Sequence, residues 1–431
     1  MARLPLHGVR VLDFTVVWAG PFATMTLGEM GAEVVRVESL VRADTVTRGN
    51  VRPAPQILEQ PRGAYWVDRN PGERPWNRYG YFNYSGRHKY SMSADLTRPE
   101  GQAIAQRLAS LSDVIVENNR VTTMTKLGLG YDDVRKVRPD IIYISMPAFG
   151  TTGPYSKFRG FGANTEAVVG HTWLRGYPDA DPSLTYVIYH SDAAAGASAA
   201  FAVISALHYR RRTGEGQFID MSQSENMVHH LAQPFMDYSM NRRPQSSLGN
   251  RDVSMAPQGA YPCRGEDEWI AISIRSDTEW VALTKVIGQP QMANDVRYRS
   301  APARVRNHDE ISKVLIAWTR SQDKYEAMQA MQTAGVPAGA VIPYTGAHYD
   351  PHLTERGFFE LVAEPESGVH LQPGRGYRFR NQPLHVRHPA PTLGGQNDYL
   401  YRDLLGYTES DVEHYAAESH VGIDYAPAVL G

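Results

Sequence analysis

The stretch Gly8–Ser39, GVRVLDFTVVWAGPFATMTLGEMGAEVVRVES, decides the fold. VRVLDF at its start is a short β-rich run. GPFATMTLGEMG follows, with Pro21 placed for a first helical turn, where its missing N–H costs nothing, and Gly31 placed to stop the helix. AEVVRVES is a second apolar, β-branched run. Strand, helix, strand predicts a βαβ unit, and such units build parallel sheets. The stretch carries no G-x-G-x-x-G, so the dinucleotide fingerprint is absent.

Further along, KYSMSADL (89–96), SDVIVENN (112–119), DIIYISMPAFG (140–150) and FIDMS (218–222) read as more strands, short and apolar as in buried parallel sheets. A helix is expected from about Arg98 to Leu111, and a longer one from Ala193 to Arg212, whose basic end suits the negative pole of the helix dipole. Residues 45–87, with five prolines and several aromatics, read as a long surface excursion. Near residue 225 the composition shifts. GAYPCRGEDEWIAISI reads as antiparallel strands and DTEWVALTKVIG as a helix, while AGVPAGAVIP resumes a strand-rich core. The expectation is an α/β protein whose large domain, 1–225 plus 333–431, is a discontinuous Rossmann-like parallel sheet, with a smaller α+β domain, 226–332, inserted in it.

A length of 431 residues is too much for one ordinary core. The net charge of −2, from 44 basic and 46 acidic residues, argues against a nucleic-acid partner. A single cysteine, Cys263, rules out an internal disulfide framework and a cysteine-built zinc site, and points to the reducing cytoplasm. The start MARLPLHGVRVLDF lacks the pattern of a signal peptide, and the apolar run from Ala193 to Leu207 is too short to span a membrane, so no membrane partner is expected.

Three constellations could carry chemistry. The first is YHSDAAAGASAA (189–200), where one carboxylate, Asp192, precedes a run of small residues. The plainer reading is an N-cap, and tight helix packing explains the alanines. The other reading is a carboxylate kept ionised by the helix dipole and free amides, able to act as a nucleophile toward an acyl group. The second is the turn TVVWAGPF, at the carboxyl end of a parallel strand, where open α/β sheets bind ligands. The third is VENNRVTTMTKLG, whose Asn118, Asn119, Arg120 and Lys126 could hold an adenine or phosphates, or form an ordinary polar loop. His171, His190, His229 and His230 show no metal-ligand spacing, and no serine-hydrolase elbow or phosphate-binding loop is present.

In this order the segments resemble the class III CoA-transferases, the group containing formyl-CoA:oxalate and carnitine CoA-transferases, and are similar to the related α-methylacyl-CoA racemases. The carriers run nearly end to end: GVRVLDFTVVWAGPFATMTLGEMGAEVVRVE, KYSMSADLTRPEG, SDVIVENN, LGLGYDDVRKVRPDIIYISMPAFGTTGPY, ALHYRRRTGEGQFIDMSQSE, GAYPCRGEDEWIAISI, AGVPAGAV, DPHLTERGFF and APTLGG. The resemblance implies that SDAAAG holds the nucleophile at Asp192. It implies that CoA lies along Val17, Trp18 and Ala19, along Ala94, Asp95, Leu96 and Thr97, beside Asn118, Asn119, Arg120 and Lys126, and past Gly160, Phe161, Gly162 and Ala163. It further implies an interlocked, ring-like homodimer, or a pairing with a paralogous subunit, and no metal and no cofactor beyond coenzyme A itself as substrate.

Three departures matter. Lys126 stands where the family often has an arginine, keeping the charge but losing the bidentate fork. Phe161, in GFGAN, stands where the racemases carry a histidine base, and phenylalanine moves no proton. The glycine-rich loop of the formyl-CoA transferases is not evident near SMAPQGAY. The reading is an enzyme of acyl-CoA metabolism that moves CoA from an acyl-CoA, with succinyl-CoA a candidate, to a carboxylic acid. The rivals are an acyl-CoA racemase or isomerase, including intramolecular CoA transfer, and a non-catalytic CoA-binding subunit.

Overall fold

The computed structural model describes residues 4–61, 65–184 and 188–430. Strands β1 (Arg10–Asp13), β2 (Glu33–Glu38), β3 (Lys89–Ser93), β4 (Val114–Glu117), β5 (Ile142–Ser145) and β6 (Gln217–Asp220) form one sheet in the order β3-β2-β1-β4-β5-β6. Every pairing is parallel. This is the order of a doubly wound sheet, which reverses direction between β1 and β4. The six strands lie where the apolar runs predicted them.

Alternation along each strand sends side chains to two cores. On one face, Val11, Val34, Val114, Val116, Ile142 and Ile144 pack with helix α1 (Ala19–Glu29). On the other, Leu12, Val35, Met92, Ile115 and Tyr143 pack with helix α2 (Pro99–Ser110), with Val134 of helix α3 (Tyr131–Val137), and with Leu400, Tyr401 and Leu405 from the far end of the chain. Nearly every residue of α1 is buried, because the sheet covers one side and a second helix covers the other. Helix α4 (Gly162–Val168) follows β5, and the covering helix α5 spans His190–Thr213. Helix α6 (Gln223–Val228) follows β6, its Ser222 N-cap accepting the Glu225 N–H.

The α1–α5 contact depends on small residues. Ala195, Ala199, Ala200, Val203 and Ala206 of α5 are buried against Ala19, Ala23 and Leu27 of α1. A Cβ on Gly196 would lie 2.7 Å from the Ala19 carbonyl oxygen and 2.7 Å from Phe22 Cδ1. The AAAGASAA string is therefore a helix-packing seam.

The excursion is not merely a surface feature. Trp66, Trp76 and Phe82 are buried, as are Thr47 and Arg48, and Trp76 packs with Leu40, Leu393 and Tyr425. The guanidinium of Arg48 lies 3.7 Å from the Phe82 ring centroid. Its prolines interrupt regular structure without keeping the segment out of the core.

The chain divides into two compact units. One takes in Met1–His171, Val187–Ser239 and Gly357–Gly431, and includes the six-stranded sheet. The other takes in Thr172–Tyr186 and Met240–Arg356. In the second, β7 (Gln258–Pro262), β8 (Trp269–Ser273) and β9 (Ala338–Val341) form an antiparallel sheet packed on Trp280, Leu283, Ile311 and Leu315. Because AGAV pairs with β8, this unit runs past the expected boundary at residue 332. β10 (Phe359–Glu364) and β11 (Gly368–Pro373) form a hairpin in the first unit. Among the described residues no helix is long and apolar enough to cross a membrane.

The seam makes a direct prediction. Gly196→Ala forces Phe22 or the α1 backbone aside, and overpacking of this kind costs roughly 1–3 kcal/mol. Urea unfolding should show the stability falling by that amount, while Ser198→Ala, two residues from Gly196 and half-buried, changes little.

Candidate active site

The carboxyl ends of parallel strands share one edge of a sheet, so the segments after β1, β3 and β4 converge there. Those segments contain Val17–Ala19, Ala94–Thr97 and Asn118–Arg120. Three of the groups picked out in the sequence are thus brought to one edge by topology alone.

The turn between β1 and α1 is held in a costly shape. Val17 has φ 67°, left-handed for a β-branched residue. Strain of this kind costs on the order of 1–3 kcal/mol and persists only where neighbours impose it. Here they do. The Val17 N–H donates to Thr47 Oγ1 at 2.9 Å, and the Tyr81 hydroxyl donates to the Val17 carbonyl at 3.0 Å. Asn118 accepts the Val16 N–H through Oδ1 and donates to the Val16 carbonyl through Nδ2, each at 2.8 Å. Asn119 Nδ2 donates to the Phe14 carbonyl at 3.0 Å. Both amides therefore shape the turn.

Beneath the turn lies a buried polar network. Asp13, fully buried, accepts from the Thr15 N–H and Oγ1, from Thr24 Oγ1 and from Lys89 Nζ at 3.0 Å. Burial alone would raise the Asp13 carboxyl, but Lys89 and Arg36 outweigh it and hold it below the usual carboxylate range. Burial brings Lys89 down to about 8 against the pull of Asp13. Arg36 donates to the Thr15 carbonyl at 2.7 Å and to Asp44 at 2.9 Å, and Asp44 accepts the Thr47 N–H at 3.0 Å. Arg48 clamps Glu38 through Nε and Nη2 at 2.6 and 2.7 Å. The network runs from the sheet to Thr47, and so to Val17.

Asp192 meets this turn from α5. It is not the N-cap: the helix begins at His190, and Tyr189, with φ 51°, occupies the cap position. Asp192 sits in the first turn and is only 5% exposed. Burial pushes its carboxyl up to about 6, the Ala19 backbone N–H pulls it down, and the nearby Glu166 carboxylate raises it again. Desolvation, rather than the amides, is thus the largest single influence on this group. Gly162 admits the carboxylate, since a Cβ there would collide with Asp192 Oδ2. Trp18 turns its ring edge-on to Tyr81 and Tyr189, with centroids 6.3 and 5.7 Å away. Burial, then Asp192, raise the Tyr81 hydroxyl well above its ordinary value.

The remaining expected residues differ in setting. Ala94 is buried and donates its N–H to the Glu38 carbonyl at 2.8 Å. Asp95 is also buried; it caps the next turn by accepting the Thr97 N–H and hydroxyl, and pairs with Arg98 at 3.1 Å. Leu96 is half-buried and Thr97 exposed. Arg120 and Lys126 are exposed, Lys126 ending the short helix Thr123–Lys126. Gly160 and Ala163 are half-buried, and Phe161 is exposed, its N–H donating to Asn164 Oδ1 at 2.9 Å. Sequence reasoning passed over Glu166 and Thr47, since a lone glutamate in GANTEAVVG and a lone threonine in a coil carry no signal. It met Tyr81 only as one aromatic among several.

The site can present one desolvated, basic carboxylate to an electrophile, beside backbone amides and an aromatic wall. A family model described as CoA-transferase family III matches residues 6–397. The chain is 30% identical over 414 residues to the succinyl-CoA–D-citramalate CoA-transferase of Chloroflexus aurantiacus, covering 95% of this chain and 96% of that one. It is 30% identical to the succinyl-CoA:glutarate CoA-transferase of Mus musculus, covering 95% and 88%. Among solved structures, a CAIB/BAIF family protein from Brucella suis superposes with a TM-score of 0.79 at 28% identity, covering 94% of this chain and all of that one. On that match, together with 30% identity across nearly the whole of a relative, the chain belongs to CoA-transferase family III.

Proposed function

We propose that this enzyme moves CoA from an acyl-CoA donor, of the succinyl-CoA kind that its relatives' names carry, to a carboxylic acid, with Asp192 as the covalent nucleophile. The observation that supports this best is the setting of Asp192: buried, in the first turn of a 24-residue helix, and beside the Ala19 amide. The Asp192 carboxylate attacks the thioester carbonyl. The C–S bond breaks, CoA leaves as thiolate, and a mixed anhydride remains. The thiolate then attacks the aspartyl carbonyl, releasing the donor's acid as carboxylate and leaving an aspartyl-CoA thioester. The acceptor carboxylate runs the two steps in reverse. An anhydride is activated enough to exchange with a thiolate, so each step needs only groups that the substrates and Asp192 supply.

In this reading CoA lies across the sheet edge formed by Val17–Ala19, Ala94–Thr97 and Asn118–Arg120, with Lys126 toward its phosphates. Asn118 and Asn119 act by shaping the turn that the ligand meets. Gly160–Ala163 line the pantetheine path. The unit containing the parallel sheet is the CoA-binding domain. The working form is an interlocked homodimer, or a pair with a paralogous subunit, in the cytoplasm, and coenzyme A is needed only as a substrate.

Asp192→Ala should lower transfer by roughly three orders of magnitude or more while leaving CoA affinity within a fewfold of the native protein. Stopped assays with succinyl-CoA and glutarate, alongside calorimetric titration with CoA, read both, and retained turnover would refute the assignment. Lys126→Ala should raise the KM for acyl-CoA roughly tenfold, the size of one lost charge-assisted contact, with kcat changed much less. A fall in kcat alone would contradict a phosphate-binding role. The attacking form is the ionised carboxylate, and its midpoint lies at about 6, so kcat/KM should rise with pH through that value and level off above it.

A further inference from the structure

Among the described residues, Glu166 is the fully buried carboxylate beside Asp192 that the proposed reaction does not use. It lies on α4, and its neighbours stitch α4 to the start of α5. Glu166 Oε1 accepts the Ser191 N–H at 3.3 Å, and Thr165 Oγ1 and Ser191 Oγ lie 2.9 Å apart. Both hydroxyls also reach the Gly162 carbonyl, at 2.9 and 3.3 Å. Asp192 is the next residue after Ser191, so this stitch fixes where its backbone stands. Glu166 Oε2 lies 3.3 Å from His171 Nδ1.

Resting on the reading of Asp192 as nucleophile, we propose that Glu166 is a positioning residue. It holds the first turn of α5 and sets a second negative charge beside Asp192, so that acylation of Asp192 relieves a repulsion. The free Asp192 carboxylate carries one charge. In the anhydride and in the aspartyl thioester it carries none, the charge having left on the CoA thiolate or on the released acid. A fixed neighbouring carboxylate therefore disfavours the free enzyme relative to both covalent intermediates, and makes the free carboxylate more basic. The upward pull of Glu166 on Asp192, second to desolvation among the influences that raise it, agrees with this geometry.

Other ionisable groups also stand near the pair. His171 faces Glu166 from the turn His171–Leu174. His190 stands at the start of α5, its ring 6.0 Å from that of His171 and its Nε2 3.4 Å from His230 Nδ1. Tyr81 faces Asp192 from the excursion. Helix α6, which also packs on α4, carries Glu225, and that side chain is exposed. Glu166 is the acidic group among these that is wholly shielded from solvent, so its charge is the least screened.

The test is Glu166→Gln, which keeps an oxygen for the Ser191 N–H and removes the charge. The midpoint of the kcat/KM pH profile should fall by about half a unit or more, and the acyl-enzyme fraction trapped by hydroxylamine on the Asp192 peptide should drop several-fold. Glu166→Asp keeps the charge and shortens the reach, so its midpoint should stay at the native value while kcat falls. A folded Glu166→Gln enzyme with the native midpoint and native trapping overturns the proposal. If Glu166→Gln does not fold, a shifted midpoint in Glu166→Asp overturns it and a native one supports it. Native enzyme that never carries label on Asp192 sinks the nucleophile reading itself, whereas label with an unmoved midpoint sinks only the role of Glu166.

Discussion

The close approach of α1 and α5 at Gly196 is the constraint on which the site depends. Asp192 lies one turn before Gly196 on α5, and Ala19 begins α1. Only because Gly196 has no side chain can the α5 backbone come down onto the Ala19 carbonyl and Phe22. That contact delivers the carboxylate to the Ala19 N–H and buries it in the same movement. Had a larger side chain at position 196 held the two helices apart, the carboxylate would have stood farther from the amide and nearer to water. The seam thus sets both the position and the acidity of Asp192. The small residues that pack the seam are thus also what places the carboxylate.

The turn that receives the carboxylate needs its own support. A valine at φ 67° does not hold that conformation unaided. The bonds from Thr47, Tyr81 and Asn118 hold it, and Thr47 is held by Asp44, which is held by Arg36. A buried ionic network of this kind is a modest contributor to stability, because desolvation of Arg36, Glu38, Arg48, Asp13 and Lys89 offsets much of their attraction. Its value lies in geometry. Removing Asp13 leaves the buried Lys89 ammonium without its carboxylate, a loss that costs about 3–5 kcal/mol, so the arrangement has few alternatives of similar energy.

The fold was largely legible and the site only partly so, for physical reasons. Strands in a parallel sheet are covered on both faces, so VRVLD, EVVRVE, DVIVE and IIYIS stand out as apolar runs, and βαβ order then orients them. Asp192 was legible through its motif and through the small residues after it. The first turn of its helix was not, because Tyr189 enters in a left-handed conformation that no local residue preference announces. The excursion hid more. Thr47 and Tyr81 reach the turn across 30 and 64 residues of chain, through a segment whose prolines and polar residues look like surface. Glu166 was invisible for the same reason: its significance lies in the 25 residues of sequence that separate it from Ser191 and the 3.3 Å that separate them in space.

The acidity of Asp192 follows from opposing influences that bear on what such a group can do. An ordinary exposed aspartate is ionised at neutral pH but weakly basic, and hence a poor nucleophile. Full desolvation without compensation would make it basic but protonated, and hence inert. With burial raising it, the Ala19 amide lowering it and Glu166 raising it again, the midpoint comes to about 6. Each pH unit above the midpoint is a tenfold excess of the charged form, so near neutrality most molecules carry the carboxylate, at a basicity that ordinary aspartate lacks. In the proposed reaction burial matters a second time, once an acyl group is attached. An aspartyl anhydride in water hydrolyses, and under that proposal a side chain only 5% exposed keeps solvent from competing with the attacking thiolate.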